Sequence, residues 1–210
     1  MTWHLSHTLR WMTNLIDLMI KKLLPALLAV PAAAACAYPS ISEINDPPKV
    51  VEIKVVEKNW KCPGCNPNEQ YVLGQLQERT KIRDRNALAT IMGNIKSESN
   101  FHANICEGGA RVPYERCYRG GYGLIQWTTT ARYRGLGTFA RRFNCNPSTI
   151  ECQTRYMINE NQFQKVLPEF EGYGQPVHQY MVGAYYWLGW GIKGYREQYA
   201  YQYTKKLVWA

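Results

Sequence analysis

Two helix-start signals in close succession, followed by a long glycine-rich stretch without helical period, constrain this chain more than any other feature. In NPNEQYVLGQLQERT, residues 66–80, Asn66 is placed to cap a helix, Pro67 stands at its first position and Glu69 at its third, which makes a capping box. Asp84 supplies the second start, for RNALATIMGNIKSES at 85–99. Between Phe101 and Thr130 the chain reads ICEGGARVPYERCYRGGYGLIQWTTT, which is turn and short-strand material. Helical spacing returns in ARYRGLGTFARRF, QTRYMINENQFQKVLPEF, VHQYMVGAYYWLGWG and YREQYAYQYTKKLV. The expectation is an α+β domain, predominantly helical, with a small β hairpin between two sets of helices. With 210 residues, the chain is long enough for one such domain with a real core and too short for two large ones.

The N-terminal segment has a different character. From Met19, MIKKLLPALLAVPAAAACAYP carries two lysines, an apolar run and then small residues, the order of a secretory signal. Pro25 and Pro31 interrupt the run, which is too short to span a bilayer as a lasting helix, so contact with a membrane is expected only transiently through the leader, with a signal anchor that tethers the chain as the alternative. Cleavage falls after Ala37 by an A-x-A rule, or before Cys36 in a lipoprotein-type alternative; Met19 is the alternative start. The domain reading is therefore a signal at 1–37, a proline-rich linker or extension at 38–67 with one alternating run, VVEIKVVEK, and a catalytic domain at 68–210.

Seven cysteines are present, and six remain once Cys36 leaves with the leader or carries lipid. An exported chain pairs them. The spacing suggests Cys106 with Cys117 and Cys145 with Cys152, among about 15 connectivities that six cysteines allow. The CPGC run at Cys62 and Cys65 reads as a disulfide, a redox pair or metal ligands, or free thiols. The four histidines offer no second ligand pair for zinc, and neither a metal nor a cofactor is expected. The net charge of +9, with 15 tyrosines and 7 tryptophans, suits a polyanion or a carbohydrate. Because the arginines are scattered and no recognition motif appears, nucleic acid is not the expected partner.

Glu98 is the residue that points to chemistry. In ATIMGNIKSESNF the apolar residues Leu88, Ile91, Met92 and Ile95 recur at helical spacing, and Glu98 falls on or beside that stripe. Burial disfavours a charged carboxylate, and the negative end of the helix dipole acts in the same direction. Both effects hold a proton, which a general acid needs to protonate a glycosidic leaving oxygen. The alternative is that the helix has ended by Ser97 and Glu98 is merely exposed.

At MGNIKSESNF (92–101), GGYGLIQWTTTARYRGL (120–136) and, more loosely, MVGAYYWLGWG (181–191), the chain resembles the lysozyme-like superfamily, in particular the phage tail lysozyme type. It is more distantly similar to goose-type lysozymes and soluble lytic transglycosylases. The E-S-x-F and G-L-M-Q patterns of the transglycosylases look like Glu98-Ser99-Asn100-Phe101 and Gly123-Leu124-Ile125-Gln126. Their A-Y-N-x-G pattern is met by Ala184-Tyr185-Tyr186, with Tyr186 where Asn is usual. The resemblance implies a two-lobed lysozyme-like fold that cleaves the β-1,4 bond between N-acetylmuramic acid and N-acetylglucosamine in peptidoglycan glycan strands, with no cofactor. Glu98 would be the acid. Ser99 would support it, Gln126 and Gly123 would meet sugar or a water, and Tyr185 would take part in binding. Gly120, Gly121 and Gly123 let backbone approach a sugar closely, and Tyr122 and Trp127 offer flat ring faces, with packing in the hairpin core as their alternative role. Arg132 either salt-bridges the hairpin or contacts substrate.

A partner carboxylate is expected about 5–9.5 Å from the acid of a glycosidase. Glu107 and Glu115 are the candidates within the insert, and neither sits in a recognised motif. Hydrolysis and transglycosylation both stay open, as does a wall-binding module in which Glu98 is dispensable. A cysteine peptidase is disfavoured because Cys145 and Cys152 lack a nucleophile's context. The leader favours export to the periplasm or the cell exterior, whereas the resemblance favours a virion, with tail or baseplate proteins as partners.

Overall fold

The computed structural model describes residues 58–210, which belong to one compact unit. The leader, Cys36 and nearly all of the VVEIKVVEK run lie outside the described residues. Seven α-helices are present among those described: α1 (Pro67–Arg79), α2 (Arg85–Ser99), α3 (Thr130–Arg142), α4 (Ile150–Asn159), α5 (Asn161–Phe170), α6 (Val177–Leu188) and α7 (Arg196–Lys206). None of them is long and apolar enough to cross a membrane. Strand β1 (Trp60–Lys61) pairs antiparallel with β2 (Val208–Trp209), so this two-stranded sheet joins the two ends of the domain. Trp60 meets Trp209 edge to face at 5.2 Å.

Local chemistry accounts for the helix starts. The Asn66 side chain accepts from Glu69 N–H and Glu69 returns a bond to Asn66 N–H, while Asp84 accepts from the N–H groups of Asn86 and Ala87. Thr129 and Thr149 cap α3 and α4 in the same way. Glu69 is buried and also accepts a hydrogen bond from the Tyr203 hydroxyl, which fastens the start of α1 to the end of α7.

Helix α2 runs through the centre. Every residue from Ala87 to Ile95 is buried, including the predicted stripe Leu88, Ile91, Met92 and Ile95. Gly93 is where α7 approaches it. A Cβ there would lie 2.4 Å from Ala200 N and 2.9 Å from the Arg196 carbonyl oxygen, so two backbones meet where no side chain fits.

The sequence reads 153–170 as one helix, yet the structure divides it at Glu160, whose backbone is extended at φ −71° and ψ 144°. The break turns the Glu160 carboxylate inward. The glycine-rich insert likewise differs from a regular hairpin, being built from isolated bridges, Ile105 with Arg111, Cys106 with Tyr122 and Tyr122 with Trp127. Residues 60–65, counted in the linker by sequence, carry β1 and a Cys62–Cys65 disulfide, and both cysteines are buried.

Candidate active site

Glu98 lies in the last turn of α2, with Ser99 as its final residue. Asn100 at φ 50° and Phe101 at φ 62° then reverse the chain in two left-handed steps, and Phe101 enters the core against Tyr203. The Glu98 side chain is only 13% exposed, so the alternative of a merely exposed residue does not describe it. Burial and the helix dipole are the effects that the sequence predicts at Glu98, and the structure adds a cation that they do not include. Glu98 Oε1 accepts a hydrogen bond of 2.5 Å from Arg196 Nη2, at the first turn of α7. A carboxylate this far from water needs a countercharge, and a guanidinium supplies it.

Ser99 is buried and donates its hydroxyl to the Leu124 carbonyl oxygen at 2.7 Å. The end of α2 is thereby tied to the GYGLIQ turn. That turn is tight: Tyr122 and Trp127 exchange backbone bonds of 3.3 and 3.0 Å, and Gln126 N–H donates to the Gly123 carbonyl oxygen at 3.0 Å. Gly123 at φ +74° has no room for a Cβ, which would fall 2.4 Å from Gln153 Oε1. Gln153, buried on α4, accepts from Leu124 N–H at 2.7 Å and donates to the carbonyl oxygens of Ala103 and Pro147. Gln126 is half-buried at φ 52°, its amide donating to Gly123 O at 3.0 Å.

Tyr122 and Trp127 are fully buried, so neither ring offers an open face; both form the packing of the insert, the alternative named for them above. Tyr122 bonds Val112 and Ser148 through its hydroxyl. Trp127 Nε1 donates to Glu160 Oε2 at 3.2 Å. Arg132 is paired with the same carboxylate through Nε at 3.0 Å and Nη2 at 2.6 Å, and Trp187 Nε1 adds a fourth donor at 3.3 Å. Glu160 therefore gathers the insert, α3 and α6 around one buried charge.

Tyr185, about half exposed near the end of α6, packs edge to face on Trp190 at 5.6 Å, and the Arg196 guanidinium lies over the same indole at 5.0 Å. Tyr185 is thus linked to Glu98 through Trp190 and Arg196. Glu107 is exposed and accepts from Gly121 N–H, while Glu115 is exposed on a short 3-10 turn at Tyr114–Arg116. His102 has its basicity lowered, first by burial and then by Arg111. A cavity of about 630 Å³ lies elsewhere, between Trp60, Gln70, Tyr71 and Arg83, and none of the predicted site residues lines it. Its amides are already used, Gln77 on Trp60 and Gln70 on Cys65.

Three disulfides staple the unit: Cys62–Cys65, Cys106–Cys117 and Cys145–Cys152, the last two as the spacing suggests. Cys106–Cys117 closes the insert directly beside the turn that Ser99 holds. Among the described residues no group of three His, Cys, Asp or Glu side chains is placed to hold a metal.

Sequence reading missed Arg196, Trp190, Glu160 and Gln153. An arginine at the start of a helix opposes the helix dipole, and that anomaly was visible in GYREQ. Gln153 left no signal, because an amide on a helix is ordinary until its partners are known.

A central helix ending in a largely buried acid and clamped to a disulfide-closed glycine turn defines a predominantly helical domain with one candidate acid at its centre. The family model for phage tail lysozyme matches residues 68–207, and the chain belongs to that family. Membership implies a peptidoglycan substrate and glycosidase chemistry. No curated protein and no solved structure matches the chain.

Proposed function

We propose that this protein is a peptidoglycan muramidase that cleaves the β-1,4 bond between N-acetylmuramic acid and N-acetylglucosamine, with Glu98 as the general acid. The observation that carries this reading is the joint of Glu98 and Ser99: the acid is withdrawn from water while its neighbour is hydrogen-bonded into the turn that bears Gln126. Acid and turn therefore form one rigid piece, the preorganisation that a glycosidic site requires. Glu98 gives its proton to the leaving oxygen as the bond to the anomeric carbon breaks. Water adds to that carbon, and its surplus proton restores the acid. Gln126 faces the sugar or the water from a turn that Gly123 shapes, and Tyr185 supplies an exposed ring linked to the acid through Trp190 and Arg196. Ser99 and Arg132 act on the framework.

A lytic transglycosylase is the second reading. Its support is that Glu107 is engaged with Gly121 and Glu115 is exposed on a separate turn, which leaves Glu98 without an evident carboxylate partner. A single glutamate suffices when the muramic acid's own hydroxyl attacks the anomeric carbon and returns its proton to the base.

Three disulfides suit an oxidising compartment, so the protein acts outside the cytoplasm or in a virion, with residues 1–37 as its leader, 38–67 as an extension whose residues 60–65 pack into the folded unit, and 68–210 as the catalytic domain. The test is mass spectrometry of soluble products from purified peptidoglycan treated with wild type and with Glu98→Gln. Reducing muropeptide ends from wild type alone, with turnover of the variant lower by about 10²–10⁴-fold, are expected. Anhydro ends move the assignment to transglycosylation. Products from both proteins refute the role of Glu98, and products from neither leave a wall-binding module.

A further inference from the structure

We propose that Arg196 is the positioning residue of Glu98, holding Oε1 so that Oε2 is left as the oxygen that delivers the proton; this rests on the reading of Glu98 as the acid. Both charges sit where local electrostatics disfavours them. Glu98 lies near the negative C-terminal end of α2, and Arg196 at the positive N-terminal end of α7. Each charge alone works against its own helix, and each offsets the other only because the two ends meet. Departures from a local rule of this kind mark functional positions.

The guanidinium is held on every side that matters for aim. Nη1 donates to the carbonyl oxygens of Ile192 at 3.0 Å and Lys193 at 3.1 Å, Nη2 reaches Glu98, and the Trp190 ring covers the face. Its Nε is buried with no acceptor among the described residues. An arginine serving stability alone would be expected to satisfy that group, since leaving it bare costs about 1–3 kcal/mol. Here orientation toward Glu98 has prevailed over full pairing. Among the described residues Oε1 has Arg196 as its partner and Oε2 has none, so the carboxyl group is anchored at one oxygen and open at the other. The close contact of Gly93 with α7 brings the two ends within reach.

The experiment measures kcat and KM on solubilised glycan strands for wild type, Arg196→Ala, Arg196→Lys and Glu98→Gln, with thermal unfolding of each and with added ethylguanidinium. A mispositioned acid lowers kcat by about 10²-fold. We expect that loss in Arg196→Ala with KM within about twofold of wild type, as an effect on positioning and not on binding requires. Arg196→Lys falls between the two, and ethylguanidinium restores part of the Arg196→Ala rate. Wild-type kcat in Arg196→Ala overturns the proposal. So does an equal loss in both Arg196 variants that ethylguanidinium does not relieve and that follows the fall in melting temperature, because the arginine is then structural. Wild-type kcat in Glu98→Gln instead shows that the acid itself was misassigned, a failure distinct from the other two.

Discussion

Replacing Glu160 by Gln tests whether one buried charge organises the framework behind the site. Glu160 is 6% exposed and its carboxylate takes four N–H donors, two from Arg132 and one each from Trp127 and Trp187. An amide keeps the shape but offers one acceptor oxygen and presents its own N–H groups on the other side. One indole N–H and one Arg132 bond then lose their acceptor, whichever way the amide turns. A buried donor left bare costs about 1–3 kcal/mol, and an uncompensated buried charge about 3–5 kcal/mol. The Arg132 side chain is 21% exposed and regains some water, so the lower part of that range applies, for a total of about 3–4 kcal/mol. At about 2–4 °C per kcal/mol for a domain of this size, the melting temperature falls by about 10 °C in thermal unfolding of the full chain. Protection of the 122–127 amides in hydrogen exchange falls with it, since Trp127 loses its anchor. A fall of under about 3 °C would refute the reasoning, by showing that the four bonds together are worth no more than an ordinary surface pair.

Gly93→Ala gains about 1 kcal/mol of helix propensity but drives a methyl group into the Ala200 backbone, which costs about 1–3 kcal/mol; a net loss of stability in denaturant unfolding is expected, together with reduced turnover as Arg196 moves from Glu98. At alkaline pH, burial pushes Tyr133, Tyr156 and Tyr180 up to about 12 and raises Tyr203 further, with the bond to Glu69 adding to the effect. Because the folded state holds these protons more tightly than the unfolded chain, their contribution is complete below about pH 10 and is lost as pH rises toward 12. Tyrosinate absorbance and ellipticity are therefore expected to change together in that window, and early ionisation of these residues in a still-folded protein would contradict the assignment.

The sequence by itself determined what depends on neighbours along the chain. Asn66, Glu69 and Asp84 act on N–H groups two or three residues away, and the stripe from Leu88 to Ile95 follows from helical spacing, so both helix starts and the central helix were legible. The Cys106–Cys117 and Cys145–Cys152 loops are short enough for spacing to suggest them. Glu98 stood out because a carboxylate near an apolar stripe is costly. What answers that cost was hidden: Arg196 is 98 residues away and reaches Glu98 only because Gly93 lets α7 close on α2. The break at Glu160 was decided in the same way. Helical spacing reads 153 to 170 as continuous, but the structure has Glu160 extended between two helices, with its buried carboxylate held by Arg132, Trp127 and Trp187. Tyr122 and Trp127 show the same limit, since an aromatic ring is equally suited to a sugar and to a core, and only the packing of the insert against α3 and α4 settled that both are buried. Caps, periods and short loops are short-range and can be read from order; the pairing of distant charges is set by which surfaces meet, and tertiary structure alone decides that.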